Sequence, residues 1–230
     1  MRPEWIGHLA EAWPQLAEGI VTTLWLTLAT LVIATPLALS IAVLRVMRPG
    51  PVARTLGVLV NLVRILPAVL VLFVVFYLAP FYGIRLKPFA AALIALSVMG
   101  TAYMSEDIRG GIAAVDRGQI AAGRALGLSG RRILLRIVMP QALPMILPPY
   151  MSRAIIMMKA TSLASMIAVN ELTAQAVRET SITYRPFVYL LFAGAIYLAF
   201  AGVLALAQAA AERALARRFG RVSAPGRAMA

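Results

Sequence analysis

The chain has no cysteine, one histidine and only nine acidic residues among 230. The missing thiols exclude disulfide frameworks, thiolate metal sites and cysteine nucleophiles together. His8 has no Glu, Asp or Cys around it at a spacing that builds a metal site. Neither a Ser/His/Asp arrangement nor a pair of buried carboxylates can be found, so a membrane enzyme has no support. The phosphate-cradling pattern Gly-x-x-x-x-Gly-Lys-Ser/Thr is absent too, and the chain therefore does not bind ATP by that route. No polar connection is much longer than about 30 residues, which leaves no room for a separate soluble domain.

What fills the chain instead is apolar. Hydrophobic residues make up 61% of it, the mean hydropathy is +0.85, and much of the surface is therefore expected to face lipid. A hydrocarbon core about 30 Å thick needs about 20 apolar residues of helix. Five stretches approach or exceed that length: 20–44, 56–80, 88–105, 139–169 and 186–211. None alternates as a barrel strand would. The expected fold is all-α, a polytopic membrane protein with five transmembrane helices in a single domain covering 1–230. The fourth span carries Pro140, Pro144, Pro148 and Pro149 and is expected to begin with a broken or kinked turn. The N-terminus lacks the basic start of a secretory signal, so the first apolar run is expected to be kept, with Trp5 and Trp13 before it in an interfacial belt or a short arm on the membrane.

The net charge of +13 would suggest nucleic acid in a soluble protein. Here the arginines lie between apolar runs, which points to membrane flanks and lipid as the partner, with no nucleic acid. Arg45, Arg48 and Arg54, then Arg109, Arg117, Arg124, Arg131, Arg132 and Arg136, then Arg213, Arg217, Arg218, Arg221 and Arg227 all fall on one side. Arg2, Arg85, Lys87, Arg178 and Arg185 fall on the other. With five spans this places the N-terminus outside and the C-terminus in the cytoplasm.

Residues 116–138 read as two short helices and a turn. Asp116 suits the first N-cap, Gly127 the C′ position and Ser129 the second cap. Ile133, Leu134, Ile137 and Val138 share one face of the second helix. Such an element is either an interfacial anchor on anionic lipid or a knob that docks into a cytoplasmic partner.

The string GQIAAGRALG at 118–127, followed after nine residues by Ile137, Met139 and Pro140, resembles the Glu-Ala-Ala signature of ATP-binding-cassette importer permeases. The match runs without a gap over Ala121, Ala122, Gly123, Gly127, Ile137, Met139 and Pro140, with Gly118 and Gln119 leading into it. AYMSEDIRGGI at 102–112, MPQALPMILPPY at 139–150, MKATSL at 158–163, and Arg64 with Pro67 narrow the resemblance to the uptake permeases for polar amino acids. The chain departs from that pattern in places. Ala121 replaces the signature glutamate and Gly123 its second alanine, Ile65 and Leu66 replace a Gly-Thr pair, Val71 stands where glutamine is common, and Ser152 where asparagine is.

The resemblance implies a type I importer permease in the bacterial inner membrane. Its partners would be a second permease subunit, ATP-binding-cassette ATPase subunits that hold the ATP and Mg²⁺, and an external binding protein that delivers the solute. Residues 116–138 would be the loop that couples to the ATPase. The missing glutamate favours a heterodimer over a homodimer. A permease for a compatible solute or an opine is the alternative, and a non-transporting scaffold a second one. Charged groups inside spans are costly and become candidates for the path: Arg64, which either lines it or snorkels to the interface, Arg153, and Lys159 with Thr161 and Ser162. Glu106 and Arg109 are spaced for a local ion pair or for gating.

Overall fold

The computed structural model describes residues 4–48 and 50–219, with side chains over 7–48 and 50–217. The expectations placed on Arg2, Arg221, Arg227 and the side chains of Trp5 and Arg218 lie outside the described residues. Among the described residues every regular element is helical. Four helices are long and apolar enough to cross a membrane, and a bent pair makes up to five.

The first helix, α1 (Glu4–Met47), is longer than the expected span. Among the described residues no separate arm precedes the span: the helix runs unbroken from Glu4 into it. The reason is packing, because Ala12 and Leu16 are buried against Leu172, Ala176, Tyr189 and Ala193, and Trp13 meets Phe192 edge-on with ring centroids 6.4 Å apart. The expected second span is not one helix. It divides into α2 (Pro51–Ile65) and α3 (Ala68–Phe73), the latter continued by a π turn (Val74–Leu78) and a 3₁₀ turn (Ala79–Tyr82), and the two halves meet at 105°. Leu66, with φ −70° and ψ 137°, is extended because the ring of Pro67 disfavours helical backbone in the residue before it.

At the centre stands α4 (Pro88–Ala113), the most buried of the spans. Its longest contact is with α1, along Ala34, Ala38 and Ala42, which recur every four residues and are fully buried. Small side chains let the two backbones close up, as helices in lipid must when no hydrophobic force drives them together. A Cβ on Gly100 would come within 3.1 Å of that of Ala34.

After α5 (Arg117–Ala125), the helix α6 (Gly130–Ile133) passes through a π turn (Leu134–Val138) directly into α7 (Met139–Ala160). Of the broken or kinked start expected for the fourth span, the structure shows no break but a π turn: the helix begins nine residues before Met139 and carries Pro144, Pro148 and Pro149 in its interior. Neighbouring helices make such prolines tolerable at membrane depth, and α7 is packed between α4 and α9. A 3₁₀ turn (Thr161–Ile167) ends it. A short helix not expected from the sequence, α8 (Leu172–Thr183), leads to α9 (Pro186–Phe219). Buried Glu171 caps α8 by accepting from the Thr173 and Ala174 amides at 2.9 and 2.8 Å, and accepts from the Tyr197 hydroxyl at 2.7 Å. The outer faces of α1 and α9 present Trp25, Val32, Leu198 and Leu206, all strongly exposed, as surfaces facing lipid require.

Where α4 crosses α7, a Cβ on Gly111 would come within 3.1 Å of the Ile146 amide nitrogen, whereas one on Gly110 would meet nothing within 4 Å. Gly111→Ala is therefore expected to destabilise the purified protein by about 1–3 kcal/mol through overpacking. Gly110→Ala is expected to leave thermal stability unchanged or raise it by about 0.5–1 kcal/mol. Equal melting temperatures for the two variants would refute this crossing.

Candidate functional site

The loop at 116–138 is built from local rules. Asp116 leaves the helical region at φ −56° and ψ 126°, and its carboxylate accepts from the Gly118 amide at 2.6 Å, so the N-cap stands where the sequence places it. At the other end of α5 the Leu128 amide donates to the Gly123 carbonyl and the Gly127 amide to that of Arg124, at 3.1 and 2.9 Å. Gly127, at φ 71°, supplies the left-handed residue this closure needs. Ser129 occupies the second cap position, but its hydroxyl makes no cap hydrogen bond; only its carbonyl accepts, from Ile133. Gly123 is buried, and a Cβ there would lie 3.1 Å from both Ile133 Cγ1 and Ile137 Cδ1, so α5 rests on the second arm with little slack.

The second arm is part of a membrane helix. Ile133, Leu134 and Val138 are buried in the same cluster as Met104, Ile108 and Ile112 of α4, with Met139 packed at its edge. Pro140 falls in the first turn of α7, just beyond the π turn. Gln119, Ala121, Ala122 and Leu126 are exposed, with Leu126 at 79%.

The second group of functional side chains surrounds Tyr103. Its ring has the Arg153 guanidinium 4.6 Å from its centroid and that of Arg64 at 5.6 Å, and its hydroxyl donates to the Arg64 carbonyl at 3.0 Å. Arg153 also donates to Asp107 Oδ2 at 3.0 Å. Among the described residues Arg64 has no carboxylate partner and its buried Nε no acceptor; one amino group reaches Asn61 at 3.5 Å. A turn below, Glu106 accepts from Arg45 of α1 at 2.6 Å and from Arg109, which gives the expected local pair a third member from another helix.

Lys159 is exposed and has no ion pair among the described residues. Thr161, expected beside it, is fully buried with its hydroxyl donating to the Met158 carbonyl, so it does not share the exposed face. Ser162 donates to the Lys159 carbonyl at 2.8 Å. Both hydroxyls finish the helix end. Tyr103 and Asp107 escaped the sequence reading: they are four apart on α4, a spacing that puts them on one face, but nothing in it announces an arginine 46 residues away.

Residues 34–217 match the family of binding-protein-dependent transport system inner membrane components. A probable glutamine ABC transporter permease, GlnP of Bacillus subtilis (strain 168), is 38% identical over 169 residues, covering 74% of this chain and 76% of that one. The nopaline permease NocM of Agrobacterium fabrum is 34% identical, covering 81% and 82%, and the arginine permease ArtQ of Escherichia coli K12 33% identical, covering 78% and 86%. The crystal structure of an amino acid ABC transporter with histidines superposes with a TM-score of 0.84 at 29% identity, covering 93% of this chain and 99% of that one. The MetNI methionine transporter shares the fold at 20% identity, with a TM-score of 0.69 and coverage of 94% and 99%.

Breaking the partly buried Asp107–Arg153 pair with Asp107→Asn leaves the guanidinium without its counter-charge and is expected to cost about 1–3 kcal/mol. The exchange Asp107→Arg with Arg153→Asp is expected to recover part of that. The check is a thermal melt of Asp107→Asn, Asp107→Arg, Arg153→Asp and the double exchange beside the unaltered protein, and an exchange no better than the sum of its single changes argues against the pair.

Proposed function

The chain belongs to the binding-protein-dependent transport system inner membrane components, and from that premise we propose how its residues divide the work of transport. It is a multi-pass permease subunit, with the type I importer fold, of an ATP-driven amino-acid importer. It is not itself an enzyme: hydrolysis belongs to a partner ATPase, and a binding protein delivers the solute.

The observation that carries the proposal is the unbroken path from α6 through the π turn into α7. In our reading α5 sits in the ATPase with Gly118, Gln119, Ala122 and Leu126 outward, and ATP with Mg²⁺ is held entirely by that partner. Because Gly123 leaves no gap above Ile133 and Ile137, α5 moves with the second arm. Displacing it tilts α7 about its crossing with α4 at Gly111 and Ile146, which switches access between the two sides. The arginine-rich connections lie in the cytoplasm on this reading, with the N-terminus outside. The partner permease is a different chain that supplies the carboxylate missing at Ala121.

For the cargo, the charges left over matter. Arg153 is occupied by Asp107, whereas Arg64 and Lys159 have no carboxylate of their own among the described residues. A solute carboxylate fits that deficit, and a polar amino acid carries one. An opine does as well, and the similarity to a nopaline permease keeps that second reading alive.

The test is substrate-stimulated ATP turnover of the chain co-purified with its encoded partners in lipid nanodiscs, with cognate binding protein and a panel of amino acids and opines. One solute is expected to stimulate turnover. Arg64→Gln and Lys159→Ala are each expected to lower kcat/KM for that solute about tenfold while basal turnover stays intact. Stimulation unchanged in both variants sinks the carboxylate assignment; a flat response across the panel in an assembled complex points to a scaffold.

A further inference from the structure

A cavity of about 450 Å³ lies behind α5, between it and the ends of the spans. Val46 and Met47 at the end of α1, Ile112 at the end of α4, and Val138 in the π turn form apolar walls, and Arg117 and Arg124 stand at its rim. At 100° per residue Arg117, Ile120 and Arg124 share one face of α5, while Gly118, Ala122, Ala125 and Leu126 occupy the opposite one. The cavity face and the outward face of α5 are therefore separate surfaces.

The two arginines have no ion pair among the described residues. Asp116, the acid next to Arg117 in sequence, spends its carboxylate on the Gly118 amide. A single carboxylate would serve both guanidiniums from position 120 or 121, each three or four residues from either arginine, and these are Ile120 and Ala121. Two uncompensated guanidiniums thus stand over an apolar hollow whose walls continue into membrane helices.

We propose that this cavity holds an anionic phospholipid, its phosphate clamped between Arg117 and Arg124 and one acyl chain lying along Val46, Met47 and Ile112. Guanidinium is planar and offers paired donors that match phosphate oxygens. The apolar walls explain why the occupant is a lipid and not a free anion, and basic pockets between membrane helices take such headgroups. The lipid fixes α5 at a set distance from the ends of α1 and α4. This assignment does not depend on which solute is carried, or on whether any is.

The test is native mass spectrometry of the delipidated transporter complex, its partner subunits present, titrated with phosphatidylglycerol or with phosphatidylcholine of the same chains. The expected result is one phosphatidylglycerol retained per copy of this chain and little phosphatidylcholine. Arg117→Gln with Arg124→Gln is expected to lower that retention about tenfold. Ala121→Glu, at an exposed helical position that accepts glutamate readily, is expected to do the same by neutralising both arginines, and keeps the test open should the double variant misassemble. Arg131→Gln, outside the cavity, is expected to change nothing. Equal retention of the two lipids, loss in Arg131→Gln as large as in the pair, unchanged retention in Ala121→Glu, or displacement of the lipid by millimolar inorganic phosphate would each overturn the proposal, the last by making this a free-anion site.

Discussion

Two adjacent carboxylates on α4 determine where the surrounding helices stand. Glu106 and Asp107 point about 100° apart, as consecutive residues on a helix do, and so reach different neighbours. Glu106 takes Arg45 from α1 along with Arg109 from its own helix; Asp107 takes Arg153 from α7. Arg153 then lies over Tyr103, whose ring also faces Arg64 of α2. A charge in a membrane span is expensive unless paired, so each of these contacts is a requirement of burial as much as a source of cohesion. In this way α4 binds three helices through the two turns from Tyr103 to Arg109. The excess of arginine over acid is what leaves Arg64, at the edge of the cluster, without a carboxylate among the described residues.

The same demand for satisfaction governs the backbone. Pro140 has no amide hydrogen, and its ring would collide with the carbonyl of Arg136 in a regular turn. The π turn at Leu134–Val138 widens the helix immediately before it, and such bulges recur at functional positions. The proline therefore marks a wide turn in a continuing helix. In the second span the outcome is opposite: Leu66 goes extended and the chain turns by 105°. The difference lies in the neighbours. Leu66 is exposed, with little to hold it helical, whereas Leu134 and Val138 are buried against α4.

Length and hydropathy made the number and order of the spans readable, and the caps at Asp116 and Gly127 were readable because they depend only on neighbours in sequence. The parts that were not readable all depend on distant residues. The break at Pro67 and the continuity through Pro144, Pro148 and Pro149 come from the same residue type, and only tertiary packing tells them apart. The extension of α1 ahead of the span follows from burial against α8 and α9, and α8 itself is held by Glu171, a residue with no visible role in the sequence until Tyr197 is brought beside it, and by Thr23, which accepts from the Leu172 amide. In the site, the loop was legible as a motif, but the direction of each α5 face was not, and neither was the inward turn of Thr161.

Ala121, where the resemblance implies a glutamate, shows how one position acts on two surfaces. On the docking proposed for α5, a carboxylate there would add a contact for the ATPase. On the inward face it would pair with Arg117 and Arg124, and its loss sets two guanidiniums free over an apolar hollow. A helix only nine residues long cannot change one face without changing the charge that the other presents, because i, i+3 and i+4 neighbours straddle the boundary. If the proposed lipid is bound, α5 is held to the membrane helices from behind through those arginines, and on the proposed docking its front engages the ATPase by shape alone. Motion imposed on its outward face must therefore pass through the Gly123 contact and the π turn, since no salt bridge on α5 offers a second route among the described residues.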